Sequence, residues 1–146
     1  MKRYINFSVA IMIVCGVFAI SGRAQSNVSP TIRASIPFTF QVGDKSLPAG
    51  VYTVRILNPT SDRKTLQIRN DDGRFSAIVQ TTGVKDAIAD NTKLVFRRYG
   101  EQYFFAQAQL AGDTTSLAAT KTRAERAMQR ALKHRDRSAV IAIVAH

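Results

Sequence analysis

The sequence predicts a mainly β fold, a small antiparallel barrel or sandwich with one amphipathic helix near its C-terminus. Three observations support this prediction. Apolar and polar residues alternate in several short segments, residues typical of turns separate those segments, and the apolar period becomes that of a helix after residue 120. Period-two alternation marks half-buried strands, and many short strands joined by tight turns are typical of antiparallel all-β domains.

The first two strand-like arms flank an unusual connector in FTFQVGDKSLPAGVYTVRIL, residues 38–57. Gly43 and Asp44 predict one turn, and residues 45–47 form a short extended arm. Pro48 suits the second position of a type I turn, after which Gly50 is expected to adopt a left-handed conformation. Backbone geometry therefore accounts for the connector, and no chemistry needs to be assigned to it.

Two later turns are also expected. Asn70, Asp71, Asp72 and Gly73 have the composition of a hairpin turn, and two further strands are expected on either side of Tyr99-Gly100-Glu101-Gln102. The first group also has oxygen atoms of the kind that bind a divalent cation. Because a hairpin requires the same residues, we favour the turn and predict no metal site.

The N-terminus has the three-part pattern of a secretory signal peptide. Lys2 and Arg3 precede the apolar run VAIMIVCGVFAI, and Gly22 and Ala24 are the small residues of a cleavage site. An uncleaved anchor is the alternative, but a membrane span needs about 20 apolar residues. Cys15 lies inside the apolar run, which argues against a lipid anchor.

These patterns divide the chain into a signal peptide (1–24), a flexible leader (25–34) and a single β domain (35–146) with a helix at about 122–136. The protein is expected to be exported to the periplasm or the extracellular space. Cys15 is the single cysteine of the sequence, so the exported domain has no disulfide and depends on a packed core.

Positive charge is concentrated near the C-terminus. The full sequence has 21 Lys and Arg residues and 10 Asp and Glu residues. Loss of residues 1–24 removes three basic residues and lowers the net charge to +8, of which +5 lies in residues 121–137. A basic surface of this kind suits an acidic partner.

The predicted helix begins with a capping box formed by Thr122 and Glu125. Its apolar face has helical spacing and consists of Ala124, Ala127, Met128, Ala131 and Leu132. Its polar side forms a basic stripe of Arg123, Arg126, Arg130, Lys133 and Arg137. The stripe is either a solvated helix surface or a contact for anionic envelope polymers or lipid head groups. Residues 138–146, SAVIAIVAH, have the length and composition of a final strand.

Signatures of the common enzyme classes are missing from the sequence. It contains no G-x-S-x-G, P-loop, G-x-G-x-x-G or H-E-x-x-H pattern, and its two histidines are His134 and His146. We therefore expect no catalysis and no cofactor.

Arg97 and Arg98 lie near several aromatic residues, and this combination suggests a nucleic-acid platform. Neighbouring strand residues such as Phe104 and Phe105, however, face opposite sides of a strand. No specific nucleic acid is therefore expected.

Three segments, IPFTFQVGDKSLPAGVYTV, KLVFRRYGEQYFFAQ and KTRAERA, resemble a family of small exported proteins of soil bacteria. The shared motifs are F-x-F-x-V-G-x-K-x-L-P-A-G-x-Y-x-V and K-L-V-F-x-R-Y-G-x-Q-Y-F. The resemblance covers most of residues 36–127. It implies export and a compact β domain, and it transfers no functional residue.

The function that these observations favour is that of an exported, non-enzymatic binding or envelope-associated protein. The alternative is a carrier of small apolar ligands with a β-barrel cavity. A cavity lined by Phe38, Phe40, Tyr52 and Tyr103 would favour the carrier, whereas a filled core would favour the binding protein.

Export can be tested on the protein isolated from its native cell envelope. Mass spectrometry is expected to find Gln25 at or next to the N-terminus, because signal peptidases cut after small residues such as Ala24. Cytoplasmic protein that retains Met1 would contradict the prediction.

Overall fold

The computed structural model describes residues 30–132 and 139–145. The predicted signal peptide, Lys133, His134, Arg137 and His146 lie outside this part of the chain. Within it, the chain forms ten strands and one helix. The elements are β1 (Thr31–Ile36), β2 (Phe40–Val42), β3 (Lys45–Leu47), β4 (Gly50–Ile56), β5 (Arg63–Asn70), β6 (Ser76–Lys85), β7 (Lys93–Tyr99), β8 (Gln102–Gln109), β9 (Thr115–Ala119), α1 (Arg123–Leu132) and β10 (Ala139–Val144).

The predicted fold class is confirmed: the protein is mainly β, with one helix near the C-terminus and a final strand, β10, that pairs antiparallel with β7. Two details differ from the expectation. The ten strands form one sheet that is not closed into a barrel, because no backbone ladder joins β1 to β10 in the described residues, although some of their Cα atoms lie within 8 Å of each other. In addition, β2 lies parallel to β8, so the sheet is mixed.

Ordered structure begins earlier than the sequence predicted. β1 begins at Thr31, inside the segment 25–34 that was expected to be a flexible leader. In β1, Ile32, Ala34 and Ile36 are buried, and the residues between them are exposed. The strand pairs along its whole length with β4, and this pairing satisfies backbone groups that an isolated leader would expose to water.

Strand β8 organises the sheet. One of its edges pairs with β7, and its other edge is shared by two strands: β9 opposite Gln107 and Ala108, and β2 opposite Tyr103 and Phe104. A β-bulge lies where the partner changes, because Phe96 and Val95 of β7 pair with Phe105 and Gln107 and leave Ala106 unpaired.

The connector in residues 43–50 has a structural role that follows from this division. Its arm forms β3, which pairs with β2 around the turn at Gly43, where φ is +60°. The β2–β3 hairpin lies between β8 and the first half of β6, where β9 does not reach, and Lys45 Nζ donates a hydrogen bond to the carbonyl oxygen of Ser76 at 3.3 Å. The hairpin thus extends the sheet beyond β8, with β3 at the end of the strand order.

The conformation expected for Gly50 is wrong. Its φ is not positive, because it begins β4 as an extended residue paired with Ile36. Space still favours glycine there, since a Cβ atom would lie 2.8 Å from Nδ2 of Asn70. The corner is held instead by Tyr52, whose hydroxyl donates a 2.7 Å hydrogen bond to the Pro48 carbonyl oxygen.

Aromatic rings fill the interior beside this corner. The rings of Phe40 and Tyr52 meet edge to face with their centroids 5.1 Å apart, and those of Phe40 and Phe96 do so with centroids 5.3 Å apart. Phe38 stacks on Tyr103 with a centroid distance of 4.0 Å. Phe40 and Tyr52 are almost completely buried. The four residues proposed as a cavity lining are therefore packed against other rings.

The pattern of the sequence does not predict β9. Its residues Thr115–Ala119 are small or polar, and the strand has only one large apolar side chain, Leu117. The strand forms because it has partners on both edges, β6 and β8. Pairing therefore compensates for the low β-propensity of alanine.

Replacing Tyr52 tests the corner. Tyr52→Phe is expected to lower the free energy of unfolding by about 1 kcal/mol, because the Pro48 carbonyl loses its donor. Tyr103→Phe is the matched control, since no hydrogen bond of its hydroxyl is found in the described residues, and it should change stability little. Urea unfolding measures both, and equal losses would contradict the role of Tyr52.

Candidate anion-binding surfaces

Helix α1 is attached to the sheet through a buried carboxylate. Glu125 is 2% exposed and accepts hydrogen bonds from Arg97 of β7, at 2.5 Å from Nε and 3.1 Å from Nη2. The Tyr99 hydroxyl donates to the same carboxylate at 3.3 Å. Three donors thus compensate for the removal of the Glu125 charge from water.

The Tyr99 phenol responds to this environment. Burial raises its pKa above the ordinary value of 10.0, and the nearby negative charge of Glu125 raises it further. The phenol therefore stays protonated and continues to donate to Glu125 at neutral pH. The stability contributed by the protonated Tyr99 phenol is fully present below pH 10 and is lost as the pH rises through the folded-state pKa of Tyr99.

The start of α1 agrees with the predicted capping box in one of its two bonds. The Thr122 hydroxyl oxygen accepts a hydrogen bond from the Glu125 amide at 3.1 Å. The Glu125 side chain does not complete the box, because Arg97 binds it instead.

The prediction of which residues form the docked face of the helix is only partly correct. Met128 and Leu132 are half-buried, but Ala124, Ala127 and Ala131 are exposed. The docked side is centred on Glu125, with Met128 three positions later and Leu132 seven positions later. The predicted face differs because an alanine gains little from burial, whereas the Arg97–Glu125 pair sets the rotation of the helix.

Three residues of the predicted basic stripe lie on the solvent side of α1. Arg123, Arg126 and Arg130 are exposed, and none of them has an acidic partner in the described residues. Lys133 and Arg137, the other two members, lie outside the described residues. No helix in the described segments has both the length and the hydropathy to cross a membrane.

A second basic surface was not predicted from the sequence. It is a groove of about 320 Å³ on the face of β4 and β5 that points away from the core. Thr53 pairs with Arg69, and Arg55 pairs with Gln67. The groove is lined by these four residues together with Asn70 and Asp71. The alternation within each strand gave a signal for polar faces, but only the register brings the four side chains together.

The acidic residue at the end of the groove is already engaged. The Asp71 carboxylate forms an ion pair with Arg33 of β1 and accepts a hydrogen bond from the Thr53 hydroxyl at 3.3 Å. In contrast, Arg55 and Arg69 are exposed, and their guanidinium groups have no ion-pair or hydrogen-bond partner in the described part of the chain. The groove therefore has two uncompensated positive charges.

The turn after β5 has the geometry expected of its sequence. The Asp72 amide donates to the Asn70 side-chain oxygen at 3.0 Å, and Gly73 has a φ of +76°. Asp71 and Asp72 each pair with an arginine, Arg33 and Arg74 respectively. No group of three or more potential metal-binding side chains occurs in residues 30–132 and 139–145.

Of the aromatic residues near Arg97 and Arg98, Tyr99, Phe104 and Phe105 are buried, and the partly buried Tyr103 stacks on Phe38. Phe105 packs against Phe96 in the core, while Phe104 packs against Tyr99, which contacts α1. The two neighbouring phenylalanines thus face opposite sides of β8, as their strand positions predicted. Both are at least 96% buried, so neither offers a stacking surface to a nucleic acid.

Removal of the buried carboxylate tests how α1 is held. Glu125→Ala is expected to lower the free energy of unfolding by about 3 kcal/mol and to increase hydrogen exchange in α1, because Arg97 is left partly buried without a partner. Glu101→Ala removes a 92% exposed carboxylate that pairs with Arg98 and should cost less than about 1 kcal/mol. Similar losses in the two variants would show that the buried pair is not an anchor.

Comparison of the chain with protein-family models, with curated proteins and with solved structures finds no match in any of the three.

Proposed function

We propose that the protein is an exported, non-enzymatic binding protein that associates with anionic polymers or lipid head groups of the cell envelope. The observation that carries the proposal is the row of exposed, unpaired guanidinium groups of Arg123, Arg126 and Arg130 on α1. The signal-peptide pattern and the resemblance to small exported proteins support the location.

A polyanion would relieve a cost built into the helix. Arg126 and Arg130 are four residues apart, so their side chains are neighbours, and a like-charged pair at this spacing destabilises a helix by a few tenths of a kcal/mol. Negative groups along a polymer or a membrane surface would offset this repulsion. The Arg97–Glu125 pair keeps the stripe turned toward solvent.

Charge, rather than insertion, accounts for the proposed contact. The exposed apolar residues of α1 include Ala124, Ala127 and Ala131, whose methyl groups offer little area for burial in a bilayer. The contact would therefore lie at the level of head groups or polymer charges, and added salt would weaken it.

The alternative of an apolar-ligand carrier receives less support. Phe38, Phe40, Tyr52 and Tyr103 were the residues expected to line its cavity, and their rings pack against one another or against Phe96. A ligand would have to displace buried aromatic side chains, each of which contributes strongly to the core.

Charge reversal on α1 tests the proposal. The variant Arg126→Glu/Arg130→Glu is expected to reduce binding to anionic lipid vesicles and to lipopolysaccharide at low salt, with little change in the unfolding temperature, because both side chains are exposed. Co-sedimentation at low and physiological salt measures binding, which should fall with salt in the unmodified protein.

A matched control separates the stripe from net charge. Arg63→Glu/Lys85→Glu changes the net charge by the same amount at two exposed positions outside α1, so it should retain most of the binding. Equal loss in both double variants, or no binding of the unmodified protein to either probe at low salt, would overturn the proposal.

A further inference from the structure

We infer that the groove on β4 and β5 is a binding site for an acidic sugar unit, with the anionic group held between Arg55 and Arg69. This site is separate from the α1 stripe and takes a discrete ligand rather than an extended charged surface. Its volume of about 320 Å³ lies at the small end of the range of about 300–1,000 Å³ typical of small-molecule sites.

The strand register places Arg55 and Arg69 next to each other on one face of the sheet. Because Arg55 pairs with Gln67 and Thr53 pairs with Arg69, the two arginines are diagonal neighbours on one face of the sheet. Diagonal positions are about 7 Å apart, which is within the Debye length of about 8 Å at physiological ionic strength. Both arginines line the same groove, so an oxyanion bound there would be attracted by two positive charges.

The position of Arg69 is supported by the turn that follows its strand. A Cβ atom at residue 73 would lie 2.7 Å from Nη2 and 3.4 Å from Nε of Arg69. Glycine at this position thus leaves room for the guanidinium group, and the φ of +76° at Gly73 also favours glycine. The glycine of the turn therefore helps to keep the Arg69 side chain in its position at the groove.

The groove also distinguishes a sugar from a simple anion. Gln67 lies opposite Arg55, and its side chain has no hydrogen-bond partner in the described residues, so the side-chain amide is available both to donate and to accept. Asp71 retains acceptor capacity beyond its bonds to Arg33 and Thr53. An acidic sugar has one oxyanion for the arginines and several hydroxyl groups for these neutral and acceptor groups.

Arginine suits the anionic end of such a ligand. Its planar guanidinium group binds carboxylate, sulfate and phosphate oxygens with two parallel hydrogen bonds. The ion pair between Arg33 and Asp71 neutralises the carboxylate nearest to the site, which would otherwise repel an anion. The remaining charge of the groove is that of Arg55 and Arg69.

Titration with defined ligands tests the inference. Calorimetry and amide NMR shifts are measured with a galacturonic acid trisaccharide, a sulfated disaccharide, a neutral galactose trisaccharide and inorganic sulfate. At least one acidic sugar is expected to bind and to shift the amides of β4 and β5, and whichever of the two binds more tightly identifies the anionic group. The neutral sugar should not bind, and sulfate should bind much more weakly than the acidic sugar.

Variants locate the site. Arg55→Gln and Arg69→Gln are each expected to weaken binding of the acidic sugar about tenfold, because each loses a charge-assisted hydrogen bond. Gln67→Ala should weaken the acidic sugar but leave sulfate unchanged. Arg63→Gln is the control on the same strand, since it removes an exposed charge outside the groove and should have no effect.

Binding of the acidic sugar in the groove can be tested separately from binding of polyanions to α1. Arg126→Glu/Arg130→Glu should leave binding of the acidic sugar unchanged, whatever its effect on vesicles. Absence of binding to both acidic sugars, or sulfate binding as tight as that of the sugars, would overturn the inference. Loss of binding in Arg63→Gln equal to that in Arg69→Gln would overturn it as well.

Discussion

The two hydrogen-bonding edges of β8 have to serve three neighbouring strands, and much of the architecture follows from this constraint. β7 takes one edge, and β9 and β2 divide the other at the position of a β-bulge around Ala106. Phe96 and Phe105 pack together at this position with their ring centroids 6.0 Å apart. The β2–β3 hairpin then occupies the space that the short β9 leaves open, which explains why a compact chain needs two tight corners between its early strands.

The outer face of β7 and β8 requires a cover, and α1 provides it with an ion pair. Such a pair adds little net stability, because the cost of removing two charges from water offsets most of their attraction. Its geometry is nevertheless selective, since the Arg97 guanidinium and the Tyr99 hydroxyl must both reach Glu125. The pair therefore fixes which side of α1 meets the sheet, and as a consequence three arginines face solvent.

The two basic surfaces differ in the ligands that they suit. The stripe on α1 presents charges in a row, and its exposed neighbours include alanines, so it offers attraction without directional recognition. The groove combines two charges with an amide, a hydroxyl and a neutralised carboxylate on neighbouring strands. A surface of the first kind suits a polyanion, and one of the second kind suits a ligand with a defined pattern of anionic and hydroxyl groups.

The sequence by itself determined the local features: the alternating strands, the hairpin turn that contains Gly73, the start of α1 at its Thr122 cap, and the final strand. These follow from periodicity and from residues that act on their immediate neighbours. The tertiary structure alone decided the open, mixed sheet, the formation of β9, the rotation of α1 and the groove. Glu125 meets an arginine 28 positions away, and Arg55 meets Gln67 only through the register of two strands. Such contacts depend on how distant segments pair, and a one-dimensional pattern of apolar and polar residues does not specify that pairing.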